Sequence, residues 1–191
     1  MTTEPIRDKK QTAALALYYK ERGQFRNHTL IIMGLYTALR ISDLLRLTWD
    51  DVYDYDRQCV KDILTLSESK TGKTKSLAMN NEVISALQLQ MSCISVKSNE
   101  VLFKSKKTER AIGRVQAYRI IRHAADALNF KYRVSCHSLR KTFGYHAWKK
   151  GVSPAVIMEI YNHDSLAVTR RYLGVSQDDK NEVYLGLDFM I

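Results

Sequence analysis

Three short runs in the last third of the chain decide how it is read: Cys136-His-Ser-Leu-Arg-Lys-Thr-Phe-Gly-Tyr-His146, Tyr161-Asn-His-Asp-Ser165 and Thr169-Arg-Arg-Tyr-Leu-Gly174. His137 and Arg140 stand three apart, so a helix places them on one face. The helical pattern from His137 to Lys149 closes at Gly151. Ser153-Pro154 then supplies a cap and a first-turn proline for the next helix. That helix stops near Asn162, a residue that tolerates the left-handed conformation, and His163 follows at once. Asp164-Ser165 opens another helix, which carries Tyr172. A guanidinium, an acid/base imidazole, a second imidazole and a phenol are the parts needed to attack a phosphodiester.

Further upstream, Arg40 lies in Thr37-Ala-Leu-Arg-Ile-Ser-Asp43, just before a helix that Ser42 or Asp43 is expected to cap. A cation beside the positive end of a helix is locally unfavourable, which points to an anion nearby; an Arg40–Asp43 surface pair is the plainer alternative. Lys70 falls in Ser69-Lys-Thr-Gly-Lys-Thr-Lys75, a hairpin turn with Gly72 at its tip, between a strand holding Ile63, Leu64 and Leu66 and a return over 76–79. Gly72-Lys73-Thr74 ends like a phosphate-binding loop, but Ser67 occupies the position of the required first glycine and a strand follows, not a helix.

Elsewhere the pattern is helical. Asp8 and Gln11 form a capping pair for a helix through Leu17, and Gly23 ends it. A helix from about Asn27 is apolar on nearly every side and belongs in the core. Asn80 or Asn81 caps a helix through Leu89, and Gly113 precedes one through Leu128. Val101 to Phe103 reads as a short third strand. His28, His123 and His146 lack ligand-like spacing and read as structural or surface residues, and Tyr145, Tyr161 and Tyr184 as packing residues. The fold class expected is α+β, mainly helical, with a small antiparallel sheet.

The chain has 191 residues, 45% of them hydrophobic, enough for one domain with a proper core. Mean hydropathy is −0.31, and there is no apolar run long enough to span a bilayer and no signal-peptide pattern at Met1, which predicts a soluble cytoplasmic protein without a membrane partner. Three scattered cysteines, Cys59, Cys93 and Cys136, argue against a disulfide scaffold or a zinc site. Net charge is +10, and it is unevenly placed: between Lys104 and Lys150 stand thirteen basic residues against Glu109 and Asp126. Such asymmetry suits a polyanion such as nucleic acid, although a solvated basic face has the same composition. Candidate contacts to DNA are Lys73, Lys104, Lys106, Lys107, Arg114, Arg119, Arg122 and Lys141.

A phosphodiester is anionic and has a poor leaving group. Transfer to a nucleophile builds charge on its non-bridging oxygens, which fixed guanidinium groups stabilise, and Arg40 and Arg140 suit that work. The phenol of Tyr172 needs a partner to take its proton, and His137 is the candidate base. Lys70 on its hairpin is the candidate acid for the leaving oxygen, with Lys73 and Lys75 as alternatives. His163 would donate a hydrogen bond to the phosphate. No cofactor is called for, and no carboxylate cluster suggests a metal.

In order and type, Arg40, Lys70, His137-x-x-Arg140, His163 and Tyr172 resemble the tyrosine recombinase (phage integrase) family. Thr-Ala-Leu-Arg-Ile-Ser-Asp-Leu-Leu-Arg-Leu is similar to its arginine box, and the hairpin, the His-x-x-Arg run and Thr-Arg-Arg-Tyr-Leu-Gly-Val to its other motifs. The likeness runs from about Pro5 to the C-terminus. It implies a site-specific recombinase or integrase of a mobile element, which cleaves double-stranded DNA through a 3′-phosphotyrosyl intermediate and frees a 5′-hydroxyl. The alternatives are a non-catalytic DNA-binding protein and a type IB topoisomerase-like enzyme.

Two departures qualify the resemblance. Asn162 stands where the family usually has glycine, and only about forty residues precede Arg40, where the family usually adds an N-terminal clamp domain. A small stand-alone recombinase and a catalytic fragment both fit. The resemblance further implies a catalytic domain over 1–175 and a helical tail over 176–191. Ser176 is expected to cap that tail, with Asp178 and Asp179 in its first turn and Val183, Tyr184 and Leu187 on an apolar side. The tail is expected to dock on a neighbouring protomer in a tetramer on two DNA sites. Without DNA the helix from about Gln177 is expected either to dock in trans or to fold loosely against its own domain, in either case leaving Tyr172 away from Arg40 and Arg140. The alternative is an ordinary C-terminal helix buried in its own core.

Overall fold

The protein was analysed as a computed structural model, which describes residues 3–175 and 177–188. Asp8 caps α1 (Lys9–Leu17) by accepting from the Lys10 N–H, and a run of turns leads to Gly23, which takes a left-handed φ of +65°. In α2 (Phe25–Tyr36) every residue from Asn27 to Leu35 is buried. Two single-turn helices follow, α3 (Ile41–Leu44) and α4 (Trp49–Val52). Then come the short pair β1 (Tyr53–Asp54) and β2 (Cys59–Val60), and the hairpin of β3 (Ile63–Ser67) and β4 (Thr74–Ala78). The remainder is helical: α5 (Asn81–Met91), α6 (Arg114–Ala127), α7 (Cys136–Lys149), α8 (Pro154–Tyr161), α9 (Leu166–Leu173) and α10 (Gln177–Gly186).

The mainly helical α+β class expected from the sequence is observed, with two separate antiparallel pairs. The hairpin register runs from Ile63 opposite Ala78 to Ser67 opposite Thr74, and Gly72 in the turn has a φ of +68°. Val101 to Phe103 does not form the third strand. Leu102 and Phe103 are buried, but the segment's pairing reduces to isolated bridges, Thr48 with Val101 and Lys104 with Ala111. Its apolar side chains are satisfied by helix packing, so burial without a partner strand explains the run.

Helix α2 is the axis of the larger core and packs against α1, α3, α5, α6 and α7. Where it crosses α7, Gly34 faces Leu139: a Cβ on Gly34 would lie 2.6 Å from Leu139 Cδ1, so only glycine permits this approach. The crossing brings the end of α2, and Arg40 beyond it, onto the face of α7 that bears His137 and Arg140. A second, smaller cluster of Ala38, Ile157, Tyr161 and Leu173, with Phe143 and Trp148 against it, seats α8 and α9. Among the described residues, none of the tail's side chains belongs to either core. Val183, Tyr184, Leu185 and Leu187 are exposed, Tyr184 at 78%, so Tyr184 is not the packing residue expected. The Ser176 cap lies outside the described residues.

Candidate active site

The two arginines are held by backbone. Arg140, near the start of α7, is 2% exposed and donates from Nη1 to the Ala38 carbonyl and from Nη2 to the Tyr161 carbonyl at 2.8 Å. Ala38 is 0% exposed and adopts a φ of +55°, a conformation a non-glycine residue holds only under external constraint; it turns its carbonyl toward Arg140. Arg40 itself is the N-cap of α3, two residues before Ser42 and three before Asp43, and Asp43 is not a cap: its Oδ1 accepts from the Ser69 N–H and hydroxyl. Nor does Arg40 pair with Asp43. Its Nη1 meets Glu68 Oε1 at 2.9 Å, and its Nη2 reaches the Tyr161 carbonyl at 3.4 Å.

Both guanidiniums therefore converge on one carbonyl at the C-terminus of α8, whose last carbonyls lack helical partners and carry the negative end of its dipole. Burial, and then the neighbouring Arg40, pull the Arg140 pKa below the ordinary value. Two cations so close, with one carboxylate in direct contact among the described residues, favour a further anion beside them.

Tyr172, near the end of α9, points into this site. Its Oη lies 3.3 Å from His137 Nδ1, and its ring centroid is 4.7 Å from His163 and 5.4 Å from Tyr161. The expectation that Tyr172 stands away from the arginines in the free protein is thus corrected. Its ring belongs to the small cluster with Tyr161 and Leu173, which docks α9 on α7 and α8 of the same chain. Partial burial, then Arg140, Lys141 and Arg40, lower the His137 pKa, so the neutral ring able to accept a proton is favoured. Burial and the same two arginines push His163 down to about 4. Its Nδ1 lies 3.1 Å from the hydroxyl of buried Thr169; when that hydroxyl donates, Nε2 keeps the proton and can donate outward.

The hairpin lysines separate. Lys70 is exposed on the turn, yet near enough that its charge lowers the His163 pKa. Lys73 lies 3.5 Å from Asn162 Oδ1. Lys75 turns inward and donates to the Ile160 carbonyl at 2.5 Å, and burial, followed by Arg140, lowers its pKa to about 8. Among the other basic candidates, Lys106, Lys107, Arg114 and Arg119 are exposed. Lys104 pairs with Glu100 and Glu109, Arg122 with Asp126, and Lys141 donates to the Thr3 carbonyl. His28 and His146 bond the Ala16 and Ile6 carbonyls, and His123 meets the Tyr18 hydroxyl, as their structural reading requires. No group of three or more His, Cys, Asp or Glu able to hold a metal occurs among the described residues, and no helix there is long and apolar enough to cross a membrane.

Residues 7–178 match the Phage integrase family. The chain is 36% identical over 181 residues to the probable integrase/recombinase YoeC of Bacillus subtilis (strain 168), covering 95% of this chain and 94% of that one. It is 24% identical to a tyrosine recombinase of Thermosipho africanus (strain TCF52B) over 89% of its own length and 57% of the relative's. The crystal structure of XerA recombinase shares the fold, with a TM-score of 0.78 at 21% identity over 97% of this chain and 64% of that one. The chain belongs to the phage integrase family, and its class is that of the tyrosine site-specific recombinases. It spans nearly all of YoeC but little more than half of the longer Thermosipho recombinase.

Proposed function

We propose that the protein cleaves and rejoins double-stranded DNA through Tyr172. The observation that carries this reading is the Tyr172 hydroxyl on His137 Nδ1, beside two guanidiniums gathered on one carbonyl. The phenol oxygen attacks the phosphorus while its proton passes to His137. The bond to the 5′-oxygen breaks, and that oxygen takes a proton from Lys70. Arg40 and Arg140 stabilise charge on the non-bridging oxygens, and His163 donates a further hydrogen bond from Nε2. A 3′-phosphotyrosyl link and a free 5′-hydroxyl result. Attack by a second strand's 5′-hydroxyl reverses the step and restores the phenol. One phosphoester replaces another, so no nucleotide cofactor enters the balance.

The exposed basic side chains of Lys106, Lys107, Arg114 and Arg119 would contact the DNA backbone. In this reading 1–175 is the catalytic unit, and the tail over 176–191 docks on a neighbouring protomer when four copies assemble on two sites. The test is covalent capture. Incubation with a pool of nicked duplexes of random sequence, followed by recovery of protein-linked DNA under denaturing conditions, both detects the adduct and identifies the site. Tyr172→Phe is expected to abolish the adduct and retain DNA binding. Binding without any adduct from the wild type would make the protein a DNA-binding module instead.

A further inference from the structure

Among the described residues Glu68 is the carboxylate paired with Arg40, and nothing in the cleavage chemistry uses it. It sits at the base of the lysine turn, 2% exposed, with both oxygens engaged: Oε1 with Arg40 Nη1 at 2.9 Å, Oε2 with Asn162 Nδ2 at 2.9 Å and the Thr71 hydroxyl at 3.0 Å. Burial alone would raise its pKa, but the bonds from Asn162, Thr71 and Arg40 outweigh that and hold it below the ordinary carboxylate range. Asn162 ends α8 at a φ of +52°, a conformation that glycine adopts more easily. What the position gains from an asparagine is its amide, which reaches both Glu68 and Thr71 across to the hairpin.

Packing does not explain the contact. A cleft of about 540 Å³, lined by Tyr36, Leu77, Phe143 and Ile160 among others, opens between the hairpin and α8. Polar ties cross it: Asn162 to Glu68 and Thr71 at one end, Lys75 to the Ile160 carbonyl further along β4. The same carboxylate thus orients Arg40 and fastens the turn carrying Lys70 to the helix stop that precedes His163.

We infer that Glu68 is a positioning residue of this site, which holds Arg40 for the incoming phosphate and, with Asn162, latches the lysine hairpin to the end of α8. The inference rests on the phosphodiester reading for its effect on rate, and on geometry alone for the latch. A carboxylate accepts on both oxygens, whereas a glutamine amide accepts on one and donates on the other. Glu68→Gln therefore keeps the shape and must fail toward either Arg40 or the Asn162–Thr71 pair.

Three measurements test it. Limited trypsin digestion reads the latch without DNA. At a temperature well below the melting transition of every variant, Glu68→Gln and Asn162→Gly are each expected to speed cleavage at Lys70 and Lys73 several-fold, and the double variant to be no faster than the quicker single one. Thermal melts read the ion pair. Arg40→Ala leaves a buried carboxylate unpaired, so adding Glu68→Gln is expected to raise its melting temperature, while the same substitution lowers that of the wild type. Covalent capture reads the function. Glu68→Gln is expected to slow adduct formation at least tenfold with DNA affinity undiminished.

Wild-type digestion rates in both single variants would overturn the latch. An equal drop in melting temperature in both Arg40 backgrounds would overturn the pairing. A wild-type adduct rate in Glu68→Gln would overturn the positioning role. If the wild type itself forms no adduct, the phosphodiester reading fails, and the digestion and melting results still decide the latch.

Discussion

At Tyr172 the chemistry turns on one imidazole crowded by cations. Burial lowers the His137 pKa first, and Arg140, Lys141 and Arg40 lower it further. The neutral ring is the form that accepts the phenol proton, and it persists to lower pH than in free histidine. The cleavage rate is therefore expected to stay level as pH falls through about 6.5, the ordinary value, and to decline only below it. Lys141→Ala removes one of the three cations and should move that acid limb upward. Single-turnover adduct rates across roughly pH 5 to 8 check both statements; a limb at the ordinary value in both proteins would remove His137 from the base role. The lysines are separated by the leaving group. Lys70→Ala should recover much of its lost rate on a substrate with a bridging 5′-thiolate, which needs no acid. Lys75, whose amine is committed to the Ile160 carbonyl, should not be rescued that way. Rescue of Lys75→Ala alone would exchange their roles.

At the scale of elements, the site depends on how α7 meets the end of α8. The Tyr161 hydroxyl donates to the Arg140 carbonyl at 2.5 Å, and the Tyr161 carbonyl receives both guanidiniums. This is possible because α7 presents Gly144 where the phenol passes. A Cβ there would overlap the Tyr161 hydroxyl and lie 2.9 Å from Cζ. Gly144→Ala is accordingly expected to cost about 1–3 kcal/mol of stability, as overpacked cores do. It should also slow adduct formation in the fraction that remains folded, since the carbonyl holding the arginines must shift. A melt and a capture assay report both, and wild-type values in each would contradict the account. Tyr161 had read simply as a packing residue because nothing local marks a carbonyl as a ligand. That Arg40, His137, Arg140, His163 and Tyr172 stand close to one another was legible from their order and from the caps and stops that bound their helices. Glu68 was not, since its partner Arg40 is distant in sequence and a lone acid beside a turn has many uses. Lys75 was legible in principle: it shares the inward face of β4 with Leu77, while Thr74, Ser76 and Ala78 are exposed.

For the molecule as a whole, Tyr172 rides on the smaller of two cores and is followed by α10. The ties of α10 include ion pairs of Lys149 with Asp179 at 2.8 Å and with Glu182 at 2.7 Å, while Val183, Tyr184, Leu185 and Leu187 face solvent. The pair with Glu182, whose carboxylate is exposed, contributes about 0.2–1 kcal/mol. Four large apolar side chains left in water are instead a surface that favours being covered. On the docking reading of this tail, removing 176–191 should lower the melting temperature by no more than about 4 °C, the shift of roughly 1 kcal/mol in a domain of this size. The basic side chains between Lys104 and Lys150 all remain, so the truncated protein should bind a single DNA site with the same steep salt dependence as the full chain. What it should lose is assembly of several copies on two sites, measured by sedimentation of the protein–DNA complexes. Unfolding of the truncated chain would place α10 in the core after all, and undiminished assembly would move the contact between protomers to another surface.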